Sequence, residues 1–91
     1  YNPLVKKGDS VEIEFTRHAW EMLKDRTISE EWAKRTIQKP DYTTIGIDKN
    51  THYFKSIPEY EGRILHVIVT RIGEVSKVVT IFFDRRARRQ V

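Results

Sequence analysis

The feature that most constrains this 91-residue chain is a change of hydrophobic period at Pro40. Before it, apolar residues recur every three or four positions, and after it they alternate. A helix gathers positions i, i+3 and i+4 on one face, whereas a strand gathers every second residue. Proline also drives the residue before it out of helical geometry. Pro40 therefore divides a mainly helical first part from a stranded second part.

Within the first part, VEIEF (11–15) alternates apolar and charged residues and reads as a short edge strand with Val11, Ile13 and Phe15 inward. Thr16 is a suitable N-cap, with Phe15 and Trp20 at hydrophobic-staple spacing. Ala19, Met22, Leu23 and Arg26 then recur at i, i+3, i+4 and i+7, which predicts a helix over 17–26. Ser29 caps a second helix over 29–38, with Glu30 and Glu31 in the first turn and Trp32, Ala33, Thr36 and Ile37 inward.

After Tyr42 the segments 42–47, 51–57, 63–71 and 76–84 read as strands, with turns around DKN (48–50) and Gly73. Leu65, Val67 and Val69 share one face, opposite Ile64, His66, Ile68 and Thr70. Val79, Ile81 and Phe83 likewise oppose Val78, Thr80 and Phe82. The expected fold is α+β: two N-terminal helices packed on a three- to four-stranded antiparallel sheet built from the segments after Tyr42. Trp20, Leu23, Trp32 and Ile37 are expected against Leu65, Val67, Val79 and Ile81. Residues 1–10 read as a lead-in, 11–86 as a single domain and 87–91 as a basic tail.

The charge is uneven. Residues 1–60 balance ten Lys/Arg against ten Asp/Glu, while 61–91 carry seven against three, so the whole excess of +4 lies there. The end DRRARR (84–89) reads either as a grip on an anionic partner or as a solvated solubility tail. The absence of cysteine excludes disulfides and thiolate metal sites and suits a reducing compartment. No apolar run reaches the roughly 20 residues of a membrane span, and YNPLVKK lacks a secretory h-region. A cytoplasmic location without membrane contact is expected.

Several residues are candidates for chemistry. His66 interrupts an apolar strand. It is either a packed histidine bonded to a neighbour or, on a helix-free sheet face, a group that exchanges protons near neutral pH. His18 borders the apolar stripe of the first helix. Arg26 falls within that stripe and either snorkels past the helix end or pairs with a carboxylate or a bound phosphate. Tyr53 and Lys55 share a strand face and, with Arg63 and Arg85, form a candidate phosphate grip. His18, His52 and His66 lack the helical i, i+4 ligand spacing, and no phosphate-binding glycine loop is present. Neither metal nor cofactor is expected.

The segment FTRHAWEMLKDRTISEEWAKRTIQKPDY (15–42) resembles a large bacterial family of small domains of unknown function. These open with a strand and a Ser/Thr-x-His-Ala helix start, followed by an arginine, IS-E-E and a helix ending at P-D. HYFK (52–55), RILHVIVT (63–70) and VVTIFFDRR (78–86) are similar to its strands, so the resemblance covers roughly 11–86. That family is distantly similar to RelE/BrnT-type toxins, which are metal-independent ribonucleases held by a protein antitoxin. The resemblance implies a RelE-like plan, with His18 and Arg26 at matched positions.

Two functions follow. As a toxin-like endoribonuclease, the chain would use His18, His66 and Tyr53 for catalysis and Arg26, Lys55, Arg63 and Arg85 to hold RNA. As a non-catalytic module, it would dock RNA or a protein partner, such as an antitoxin.

Overall fold

The computed structural model describes residues 12–86. It is built from β1 (Glu12–Phe15), α1 (Arg17–Asp25), α2 (Glu30–Gln38), β2 (Tyr42–Ile45), β3 (Thr51–Ile57), a 3₁₀ turn (Pro58–Tyr60), β4 (Arg63–Ile72) and β5 (Val75–Phe83). The five strands form one mixed sheet in the order β1-β5-β4-β3-β2. Pairs β2–β3, β3–β4 and β4–β5 are antiparallel, while β1 lies parallel to β5.

This corrects the expected three- to four-stranded antiparallel sheet and the RelE-like plan attached to it. The sheet has five strands, is mixed, and outweighs two helices of nine residues each. The segment 11–15 has the alternation of a strand, but alternation specifies neither a partner nor a direction. Pairing with β5 turns Ile13 and Phe15 toward the core. It also leaves Glu12 and Glu14 outward on a sheet edge, where charge deters further strand pairing.

Both caps form as their sequences imply. Ala19 N–H donates to Thr16 Oγ1 at 3.1 Å, and Glu31 N–H donates to Ser29 Oγ at 3.1 Å. Thr16 also donates its N–H to Val78 C=O at 3.0 Å, which fixes where the chain leaves the sheet for α1. The turn between the helices places Thr27 at φ 55°, a left-handed conformation that a β-branched residue adopts only under strain.

Helix α1 lies over β5 and β1, and α2 lies over β4 and β3. Ala19 and Ala33 are fully buried and let the helices approach the sheet closely. Leu23, Ile28, Ile37, Ile57, Leu65, Val67, Val69, Val78 and Ile81 complete the core. Truncating one such leucine typically costs about 2–5 kcal/mol.

Two expected core residues are placed elsewhere. Trp20 is 43 % exposed and stacks on Phe15, with ring centroids 4.9 Å apart. It lies about 100° around the helix from Ala19, so the staple forms at the rim of the core. In β5 the face assignment shifts by one residue. Ile68 pairs with Thr80 but Val69 pairs with Val78, so Val79 is the extra residue of a β-bulge. The bulge resets the alternation, placing Ser76 and Val78 on the helix side and then Ile81 and Phe83.

Among the described residues, no helix is long and apolar enough to cross a membrane. Residues 1–11 and the tail 87–91, including Arg88 and Arg89, lie outside the described part.

Candidate functional site

Both helices cover the same side of the sheet, and the other side presents a different set of residues. Register places Thr44, His52, Ile68 and Thr80 in one row of that open side, and Tyr42, Phe54, His66 and Phe82 in the next. His52 and His66 are diagonal neighbours on adjacent strands. Their rings meet, with His52 Nδ1 2.8 Å from His66 Nε2.

This contact is the middle of a longer chain. His66 Nδ1 lies 2.9 Å from Asp84 Oδ2, and His52 Nε2 lies 3.4 Å from Asp48 Oδ1. Asp84 is fixed where β5 ends, because its N–H donates to Ile64 C=O at 2.9 Å. Asp48 sits in the β2–β3 turn and accepts from the Asn50 N–H at 2.9 Å. That bond, assisted by His52, holds the Asp48 carboxyl below the usual carboxylate range.

The proton count follows from donor and acceptor chemistry. Ionised carboxylates only accept, so His66 Nδ1 and His52 Nε2 must donate for the terminal bonds to form. The central bond needs one proton between His52 Nδ1 and His66 Nε2. Three protons then occupy four ring nitrogens, giving the pair a single positive charge that both rings can carry. Removing the proton on His52 Nε2 breaks only the long bond to Asp48.

Burial distributes that charge unequally. His66 is 8 % exposed, between Phe54 (4.2 Å between ring centroids) and Phe82 (4.8 Å). Desolvation depresses its pKa; Asp84 opposes the effect, and the neighbouring His52 adds to it. Burial therefore disfavours charge on the His66 ring.

Gly46 makes room for this arrangement. Its φ is not left-handed, so a side chain would not strain the backbone there. A Cβ would instead stand 2.6 Å from both Asp48 Oδ1 and His52 Nε2. The bare backbone of the β2–β3 turn thus passes close to His52 Nε2.

The residues chosen from sequence do not gather at one place. His66 lies in the chain just described. Tyr53 is on the opposite, helix-covered side, packed against the core. Lys55 shares that side, donating to Lys39 C=O at 2.8 Å and pairing with Asp41 at 3.5 Å. His18 and Arg26 are exposed on α1, where Arg26 is the C-cap. Arg63 lies over the Tyr60 ring, 5.4 Å from its centroid. Arg85 is exposed directly after Asp84. A single cleft holding His18, Arg26, Tyr53, His66 and Arg85 is not formed, because the helices and both sides of the sheet separate them.

Sequence reasoning overlooked His52, Asp48, Asp84 and Gly46 as a unit. The alternation of β3 places His52 with Phe54, away from Tyr53, but the meeting with His66 depends on hairpin register. Among the described residues, no three His, Cys, Asp or Glu side chains are grouped to hold a metal ion.

Compared with known families, residues 15–83 match one described as a domain of unknown function (DUF4258). No curated protein and no solved structure matches the chain.

Proposed function

We propose that this chain, which belongs to the DUF4258 family, cleaves RNA without a metal ion, using the His52–His66 pair to exchange the proton. The observation that carries this reading is the chain from Asp84 through His66 to His52, ending at a nitrogen near the surface. A partly buried carboxylate orients one imidazole, which in turn orients a second, whose outer nitrogen, held only by the long contact to Asp48, works as the base.

With Asp48 turned aside, neutral His52 takes the proton of a ribose 2′-OH at Nε2. The 2′-oxygen attacks the adjacent phosphorus, and the bond to the 5′-oxygen breaks, leaving a 2′,3′-cyclic phosphate. The departing oxygen takes its proton from water. The new charge on His52 is stabilised, through His66, by Asp84.

Two carboxylates beside a phosphate are unfavourable and need nearby cations. The arginine run begins where the site ends: Arg86 N–H donates to Asp84 Oδ1 at 2.8 Å, turning Arg85 and Arg86 around the same carboxylate that holds His66. The excess positive charge of residues 61–91 supports an RNA substrate. In this reading a protein antitoxin would be the partner that holds the activity in check.

The test is incubation of single-stranded RNA with the chain in excess chelator. Cyclic phosphate ends are expected, and His52→Ala should lower the rate by roughly 10²–10⁴-fold with RNA affinity kept. RNA bound but left intact by the unaltered chain would replace this reading with that of a non-catalytic RNA-binding module.

A further inference from the structure

The acid–base chain borders a row of rings that it uses only in part. Tyr42, Phe54, His66 and Phe82 stand side by side across four strands on the open side of the sheet. Successive ring centroids are 4.5, 4.2 and 4.8 Å apart. Phe54 and His66 are each 8 % exposed, so the inner rings have no face left for a ligand.

The ends of the row differ from its middle. Tyr42 is only partly buried and belongs to β2, the outer strand of the sheet. One of its faces lies on Phe54, nearly parallel at 7°. Among the described residues, no further strand lies beside the other face. Phe82, at the opposite end, is separated from His52 by the width of β4. Tyr42 pairs with Phe54 while Thr44 pairs with His52, which makes Tyr42 a diagonal neighbour of His52. Such neighbours are about 7–8 Å apart.

We infer that the outer face of the Tyr42 ring binds a nucleobase of single-stranded RNA and so presents the adjoining ribose to His52. This rests on the RNA-cleaving role proposed above. A flat base would lie on a ring that itself stacks on Phe54, and stacking of this kind accepts any base. An aliphatic side chain would gain less from a flat ring face. Burial, then the nearby Asp84 and Asp41, raise the Tyr42 pKa, so the phenol stays neutral beside a phosphate backbone. The arginines directly after Asp84 attract that backbone.

The experiment measures binding of a 2′-O-methyl oligonucleotide of about ten nucleotides, within the usual span of such sites. It cannot be cleaved, so binding is read separately from catalysis. Tyr42→Leu should weaken binding by roughly tenfold, and Tyr42→Trp should preserve it. An abasic position scanned along the oligonucleotide should weaken binding to the unaltered chain at one place by a similar factor. It should have no such effect on Tyr42→Leu. Equal affinity of folded Tyr42→Leu and the unaltered chain would overturn the inference. If Tyr42→Leu does not fold, the abasic scan on the unaltered chain decides, and a flat scan overturns it. Tyr42-dependent binding without RNA cleavage supports the base site while removing the catalytic role of His52. Cleavage with a flat abasic scan does the reverse.

Discussion

His66 Nδ1 lies 2.9 Å from Asp84 Oδ2, so the end of β5 sets the tautomer of a histidine buried in β4. With Nδ1 protonated, Nε2 is left as an acceptor, and it accepts from His52. One contact at a strand end thereby determines which nitrogen of a second ring faces outward.

The burial that depresses the His66 pKa also makes stability depend on pH. Unfolded, His66 titrates near 6.5, and the folded chain binds that proton less readily. Between these values the unfolded state holds more protons, so stability must fall as the pH drops. Urea midpoints should therefore decrease from pH 7.5 toward 5.5, and His66→Gln should flatten the decline. An equal slope in both proteins over that range would assign the effect to other groups. The depressed carboxyls of Asp48 and Glu59 lose their contribution only at lower pH, as they protonate.

Gly46→Ala tests whether the β2–β3 turn is shaped around His52. The added methyl would overlap both Asp48 Oδ1 and His52 Nε2. The Asp48 side chain is exposed enough to move away, so the loss of stability should stay within about 1 kcal/mol. The His52 ring resonances in an NMR spectrum should nevertheless shift clearly. Unchanged resonances would show that the turn does not touch the ring.

The bulge at Val79 makes two adjacent valines unequal. Val78 is fully buried on the helix side, whereas Val79 is half-buried. Val78→Ala should cost about 1–3 kcal/mol and Val79→Ala less than about 1 kcal/mol. Chemical denaturation of the two variants checks this, and a larger loss at Val79 would mean that β5 pairs without a bulge.

Thr27→Gly should stabilise the chain, because glycine adopts the φ of 55° without a Cβ penalty. A gain of about 0.5–1 kcal/mol is expected after the greater freedom of unfolded glycine is subtracted. A lower melting temperature for the variant would contradict a left-handed Thr27.

Much of the local structure was legible in the sequence. Thr16 and Ser29 act as caps because a side-chain oxygen three or two residues before an unpaired N–H is a local fact. Pro40 ends the helical part because its ring restricts its own neighbour. The alternation of 51–57 and 63–71 follows equally from the chain alone, and it correctly puts His52 with Phe54 and His66 with Ile68.

What the sequence could not supply depended on partners far along the chain. The alternation of 11–15 is the same whichever strand it joins, so the parallel pairing with β5 required the assembled sheet. The bulge at Val79 arises from the match between β4 and β5, and it moved the buried face from Val79 to Val78. His52 and His66 are fourteen residues apart, and only the β3–β4 register brings their nitrogens to 2.8 Å. Asp84 and Asp48 then complete the chain from two further segments. Periodicity and capping are properties of neighbouring residues and can be read in order. Strand direction, register and a shared proton are properties of packing, fixed only when the sheet closes around them.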